Sequence, residues 1–234
     1  MSKRLLSLVL LVPFLLSAET KLPSILGSHM VLQQGSVCPI WGWDKPGTDV
    51  TVSFAGQSHT AKADKAGRWQ ANLTAMEANA KGADLTVKGS STVTLKEVLV
   101  GEVWLCSGQS NMEWSVARSA NPQEEIANAK HPLIRHIKIQ RRPSKKAEND
   151  VPSDGWKVCS PQTAANFTAV GYYFARHLQG EIKVPIGLIG SNWGGTRIEP
   201  WTPPAGFKAV PALKDIADKL DEYPTPRGNG VNHQ

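Results

Sequence analysis

The stretch that most constrains what this chain can fold into is Val98–Asn111, VLVGEVWLCSGQSN. Val98–Cys106 is rich in apolar and β-branched residues and long enough for one buried strand. It runs abruptly into Ser107-Gly108-Gln109-Ser110-Asn111, a small, polar group. A buried strand that breaks into a tight turn with a serine at its tip is how α/β hydrolytic folds present a nucleophile. Gly108 supplies the freedom for the chain to turn without a Cβ clash. A helix starting near Ser110 would point its first N–H groups and its positive dipole end at whatever binds the serine, which is half of an oxyanion hole. The same residues also suit an ordinary solvated turn or helix cap, so their meaning depends on their surroundings.

Before that strand, the chain is rich in short β signals. Val37–Trp43 is an apolar run closed by a turn at Asp44–Gly47, and Val50–Phe54 alternates before Ala55-Gly56-Gln57. His59–Ala63, Arg68–Leu73, Leu85–Val87 and Val93–Leu95 continue the pattern, with turns at Asp64–Gly67 and Lys88–Ser91. Short strands of this spacing predict a small all-β sandwich or jelly-roll-like module over residues 19–97. From Val98 the periodicity changes. Pro122–Ala129 reads as a helix with Asn121 at its cap and Pro122 at its first position. Leu133–Gln140 reads as a strand, Pro143–Asp154 as a polar loop and Ala165–Leu178 as a helix. Val184–Ile189 reads as a further buried strand, ending in Gly190–Thr196. Strands alternating with helices predict an α/β domain with a parallel sheet over 98–234, incomplete because three strands make a thin sheet. Sites in such sheets form beyond the C-terminal ends of the strands, so the Ser110 turn and the Asn192–Thr196 turn are expected to converge. Ala212–Leu220 is a candidate short helix, and Tyr223–Gln234 is turn-like.

Composition narrows the partners. The chain has 234 residues and a formal charge of +6, with charges of both signs interspersed. No basic patch is interleaved with aromatics, so nucleic acid is not indicated. The run Arg141-Arg142-Pro143-Ser144-Lys145-Lys146 reads as a solvated loop. Met1–Ala18 reads as a secretory signal: Lys3-Arg4, an apolar core at Leu5–Leu16 too short for a comfortable membrane span, then small residues. The mature protein is therefore expected to be secreted or periplasmic, with no stable membrane span once the signal is removed. Cys38, Cys106 and Cys159 form no even framework and no CxxC pair, so neither a disulfide scaffold nor cysteine-bound zinc is indicated. No nucleotide loop and no metal cluster is visible, and no cofactor is expected.

GEVWLCSGQSNMEW resembles the nucleophile block of the SGNH hydrolases, specifically the sialate O-acetylesterase branch of the carbohydrate esterases. Upstream, HMVLQQGSVCPIWGWDKPGTDVTVSFAGQ and DKAGRWQANL are similar to that branch's N-terminal β module. Downstream, GWKVCSPQTAANFTAVGYYFARHL and VPIGLIGSNWGGTRIEPWTP are similar to its following blocks. The resemblance covers about residues 22–204. It implies an SGNH-type α/β fold behind a β module, and an acetylated carbohydrate as substrate. It implies that Ser110 attacks an acetyl ester to form an acetyl-enzyme. The oxyanion would be held by the Ser110 N–H and by a glycine N–H, with Gly171 the candidate; a glycine required for helix packing is the rival reading. Gly108, Gln109 and Asn111 would shape the turn. Asn192, Gly194, Gly195 and Thr196 would line the pocket, and Trp193 and Trp201 would offer flat faces to a sugar, with simple packing as the alternative. Glu199 is read as structural.

The resemblance also implies a histidine base three residues after an aspartate, late in the chain, without which Ser110 stays a poor nucleophile. The histidines are His29, His59, His131, His136, His177 and His233, and none has an acidic residue three positions before it. A block ending in a Gln-Gly-Glu-type motif is missing as well. The expectation is an N-terminal fragment of a longer esterase, nearly inactive by itself, or else a chain completed by a second polypeptide. Two other functions stay open: a non-catalytic carbohydrate-binding protein, and an acetylxylan-type esterase on the same scaffold.

Overall fold

The computed structural model describes residues 19–144 and 146–219. The expected secretory signal, Lys145, Leu220, the turn-like tail and His233 lie outside the described residues.

The spine of the fold is β7, Thr92–Gly108, a 17-residue strand. Its first half belongs to a β layer with β3 (Asp49–Phe54), β4 (Gln57–Lys62) and β6 (Asn79–Lys88), in the order β4-β3-β6-β7, all antiparallel. The short β1, Val31–Gln33, adds in parallel at Leu99–Gly101. Its second half, from Glu102, pairs in parallel with β10 (Ile186–Asn192), which pairs in parallel with β8 (His131–Ile139). The result is one mixed eight-stranded sheet that runs through both halves of the molecule. The boundary expected at residues 97/98 falls inside this single strand.

A separate two-stranded sheet, β2 (Cys38–Trp43) against β5 (Arg68–Leu73), covers the β half. Alternation explains the layering, since successive strand residues face opposite sides. Ile40, Trp69, Ala71 and Leu73 point inward against Val50, Val52, Leu85, Val87 and Val98, all buried in one core. This is the sandwich the spacing of turns predicts. A second core lies under α3 (Ala169–Ile182), where Phe167, Ala169, Tyr172 and Ala175 pack on Cys106, Ile134, Ile186 and Leu188. Phe167, expected inside this helix, instead precedes it, after a 3-10 turn at Ala164–Asn166. Thr168 stands extended at the N-cap, so the helix starts later than the apolar spacing suggests.

The stretch read as a polar loop through Asp154 ends earlier: β9, Ser153–Cys159, pairs antiparallel with β8. Trp156 and Cys159 are its buried side chains, and their three-residue spacing breaks the two-residue alternation that marks a strand. α2 spans Pro122–Asn128; Asn121 precedes it in the left-handed region (φ 50°) without a side-chain cap bond. The end of the described chain holds a 3-10 turn at Glu199–Trp201, α4 (Pro204–Lys208), a 3-10 turn at Pro211–Leu213 and α5 (Lys214–Lys219). All three cysteines are buried and free. Burial pushes the Cys106 thiol up to about 11 and, with smaller contributions, the Cys159 thiol up to about 12, so both are inert small apolar residues. No helix among the described residues is long and apolar enough to cross a membrane.

Candidate active site

Ser110 opens α1, the four-residue helix Ser110–Glu113 that follows directly on β7. Gly108, the last residue of the strand, has φ 133°, a conformation L side chains rarely adopt, and there the chain leaves the sheet. The Ser110 side chain is exposed, and its hydroxyl donates to Gln109 Oε1 at 3.3 Å. The parallel pairing of β10 with β7 runs on to Asn192 opposite Gly108, so the strand ends arrive level. The two turns are then stitched together. Trp193 N–H donates to the Gly108 carbonyl at 2.9 Å, and Gln109 Nε2 donates to the Thr196 carbonyl at 3.1 Å.

Gly194 stands against the serine. A Cβ built there would lie 3.3 Å from Ser110 Oγ and 2.7 Å from Glu113 Oε2. Hydroxyl and carboxylate are thus both within about 3.5 Å of one point on the turn. The Gly194 N–H donates to Glu113 Oε2 at 2.7 Å, and Glu113 Oε1 pairs with Arg141. Burial by itself would raise the Glu113 pKa. The Arg141 guanidinium and the Gly194 N–H outweigh it and hold the carboxyl below the ordinary glutamate value. The Arg141 guanidinium also lies 5.4 Å from the centre of the Trp193 ring. Lys138 pairs with Asn192 Oδ1, and burial first and Arg141 second push its pKa down, against the pull of Glu113. The site is a rim of mixed charge in which Glu113 is the anion and Lys138 and Arg141 the cations.

The other residues named from sequence fall into place around this rim. Asn192 is buried and donates from Nδ2 to the Cys106 carbonyl at 3.2 Å, bracing the two strand ends. Thr196 Oγ1 donates to the Trp193 carbonyl at 2.7 Å and accepts the Trp201 indole N–H at 2.8 Å, so Trp201 is fixed to the turn. Gly195 has φ 77°, and Asn111 is exposed beside Ser110. Glu199 begins the 3-10 turn that carries Trp201. Gly171 lies in the first turn of α3, where a Cβ would come within 2.8 Å of Cys106 Sγ and 2.7 Å of Thr168 Cγ2. Close helix–strand packing requires a glycine at this position.

No described histidine touches Ser110. His136 is buried and stacked on Phe167 at 4.5 Å. Burial, with a smaller push from Lys138, takes its pKa down to about 3, so the ring is neutral. His131 opens β8 at the opposite end of the parallel strands, near Glu125 and Arg176. His29 pairs with Glu97 and His59 with Gln57 in the β half, and His177 is exposed on α3. Among the described residues no three His, Cys, Asp or Glu side chains gather as a metal site.

Sequence reasoning missed Glu113, Lys138 and Arg141. Glu113 was legible in principle, since a residue three positions after Ser110 in a helical turn shares its face. Arg141 belongs to a run that reads as a solvated loop, and nothing in its spacing marks it as the partner of Glu113.

A family model described as carbohydrate esterase, sialic acid-specific acetylesterase, matches residues 100–220. The sialate O-acetylesterase of Mus musculus is 33% identical, covering 82% of this chain and 39% of that protein. That of Homo sapiens is 30% identical, covering 97% of this chain and 48% of that protein. The crystal structure of a novel carbohydrate acetylesterase from Xanthomonas citri superposes with a TM-score of 0.78 at 36% identity, covering 83% of this chain and 45% of that one. The chain spans less than half the length of each of these relatives.

Proposed function

Because the chain belongs to the sialic acid-specific acetylesterase family of carbohydrate esterases, we propose that it acts in removing acetyl esters from sugar hydroxyls, with Ser110 as the nucleophile. Ser110 Oγ forms a bond to the acetyl carbonyl carbon as its proton passes to a base. The carbonyl oxygen becomes an oxyanion, which the Ser110 backbone N–H at the start of α1 stabilises as negative charge develops. Collapse breaks the bond to the sugar oxygen, which takes the proton back from the base, and water then hydrolyses the acetyl-enzyme. The observation that carries this reading is the exposed Ser110 hydroxyl on the first residue of α1, flush against Gly194.

The base is a histidine from outside the described residues. His136, His131, His29, His59 and His177 are engaged elsewhere or far along the fold, as described above. On this reading the 234 residues by themselves hydrolyse esters poorly. Met1–Ala18 directs export, so the working site is outside the cytoplasm. The preference for a sialic acid over a neutral acetylated xylan rests on the family the chain belongs to and on its sialate O-acetylesterase relatives.

Hydrolysis of p-nitrophenyl acetate, 9-O-acetyl sialic acid and acetylated xylan tests these points, using the 234 residues and a C-terminally extended chain, each with and without Ser110→Ala. The expected result is serine-dependent turnover in the extended chain only, faster on the sialic acid ester. Serine-dependent turnover at full rate by the 234 residues would overturn the external base. A lack of esterase activity in any form, with glycan binding intact in Ser110→Ala, would favour a non-catalytic carbohydrate-binding protein. The missing contact between Ser110 and any described histidine is the observation that keeps this second reading open.

A further inference from the structure

The β half carries a second concave surface. On β2, Ile40 and Gly42 face the core, so Trp41 and Trp43 face outward, two residues apart on the same side. Across the strand pair, Gln70 stands opposite Trp41 and Arg68 opposite Trp43. Together with Trp69 and Asn149 these residues line a cleft of about 340 Å³. Both outward tryptophans are half-buried, so each is held by its surroundings while part of its ring stays open. Two indole rings beside exposed amide and guanidinium groups match a pyranose: its C–H face packs on the ring and its hydroxyls meet the polar side chains.

The cleft is connected to the Ser110 rim. The indole N–H of Trp41 donates to the Asn149 carbonyl at 3.5 Å. Asn149 lies on the segment that follows β8, and that segment begins beside the rim, where Arg141 pairs with Glu113. Asn149 stands eight positions after Arg141, a reach of at most roughly 29 Å at ~3.6 Å per residue. One oligosaccharide could therefore engage both places, and a second contact raises the effective concentration of its esters at the serine.

We propose that the Trp41–Trp43 cleft is a second carbohydrate-binding site, which takes pyranose units of an oligosaccharide apart from the Ser110 turn. Its role in feeding the serine rests on the esterase reading above; the binding itself does not. The test is isothermal titration of the Ser110→Ala protein with xylohexaose and with 3′-sialyllactose, together with nitrogen–proton spectra of the unaltered protein. At least one of the two sugars binds saturably. The double variant Trp41→Ala/Trp43→Ala weakens it about tenfold or more, whereas Trp41→Phe, which keeps a flat ring, stays within about twofold. In the unaltered protein the Trp41 indole and Gln70 side-chain amide signals shift during the titration, and they still shift in Trp193→Ala, where only contacts at the Ser110 rim are lost. Unchanged affinity in the double variant, loss of the Trp41 and Gln70 shifts in Trp193→Ala, or no saturable binding of either sugar overturns the proposal. None of these results bears on whether Ser110 hydrolyses esters.

Discussion

The Glu113 carboxylate accepts the backbone N–H of Gly194 at 2.7 Å, and so joins the helix that bears the serine to the turn that faces it. The bond comes from the residue three positions after Ser110, which makes the nucleophile and its opposing turn one unit. Removing the acceptor leaves a half-buried N–H unpaired, a loss of about 1–2 kcal/mol. Glu113→Ala should lower the urea midpoint accordingly and speed amide exchange at Gly194. In an active, extended chain it should reduce turnover more than it weakens substrate binding. Glu113→Gln keeps a carbonyl acceptor and should restore most of the exchange protection. Equal exchange at Gly194 in all three proteins would show that the bond does not hold the turn.

Glu113 and Glu125 set an acid limit on the fold. Burial opposes ionisation at both, yet both carboxyls sit below the ordinary glutamate value. Arg141 and the Gly194 N–H act on the first, and Tyr172 and Arg176 on the second. A carboxyl whose folded pKa is depressed contributes stability above its unfolded value of about 4.3, and that stability is lost as pH falls through the folded value. Urea midpoints should therefore drop below about pH 4.3, and the drop should be shallower in Glu113→Gln/Glu125→Gln. An identical slope in wild type and double variant would contradict the assignment.

His136 acts in the same direction but begins at higher pH. Its folded pKa of about 3 lies below the unfolded value, so the unfolded chain binds the extra proton over the interval between them. Stability should fall as pH drops below about 6.5, by at most about 1.4 kcal/mol per pH unit from this group. In nuclear magnetic resonance the His136 ring should not titrate between pH 8 and 4. His136→Asn should remove its share of the slope. A ring that titrates near 6.5 would show that the stack on Phe167 opens.

Gly194 and Gly195 are neighbours with different requirements. At Gly194 the backbone is ordinary but space is short, because an added Cβ meets Glu113 Oε2 at 2.7 Å and Ser110 Oγ at 3.3 Å. At Gly195 there is open space but φ is 77°. Gly194→Ala should therefore keep the fold and reduce turnover of an extended chain about tenfold or more by displacing the carboxylate and crowding the serine. Gly195→Ala should cost about 1 kcal/mol of stability and leave turnover largely intact. The reverse pattern would place Gly195, not Gly194, against the reacting atoms.

The strand of Val98–Cys106, the turn at Ser110 and the level arrival of Asn192–Thr196 beside it were legible because each rests on a local rule: an apolar run, a glycine break, a strand end. The inward alternation of Arg68–Leu73 was legible for the same reason. What was not legible is long-range. That Thr92–Gly108 is one strand serving two pairings depends on partners on either side, and no window of sequence contains them. β9 is not legible because its buried residues, Trp156 and Cys159, stand three apart and so break the two-residue alternation of a strand. The Glu113–Arg141 pair is not legible because its partners stand 28 positions apart with a whole strand between them. The β module and the hydrolase-like part are distinct in periodicity, yet in space they share a sheet.

The second half of β7 leaves an edge and a face uncovered among the described residues. β10 pairs with Glu102–Gly108 on one side, and no described strand pairs with that segment on the other. Leu105 is 65% exposed and Trp104, edge-on to Phe174 at 4.9 Å, is 42% exposed. An open strand edge flanked by large apolar side chains is a template for pairing with another chain. The 234 residues expressed alone should therefore self-associate in a concentration-dependent way, seen by sedimentation velocity. Leu105→Lys places a charge on that edge and should shift the protein toward monomer without lowering its urea midpoint, because the side chain it replaces is largely in water. In an extended chain that covers Leu105, the same substitution should instead destabilise the fold by about 2 kcal/mol or more, the scale of burying a charge in place of a leucine. A 234-residue chain that stays monomeric at high concentration, with Leu105→Lys silent in the extended chain, would mean that this edge is meant to face solvent.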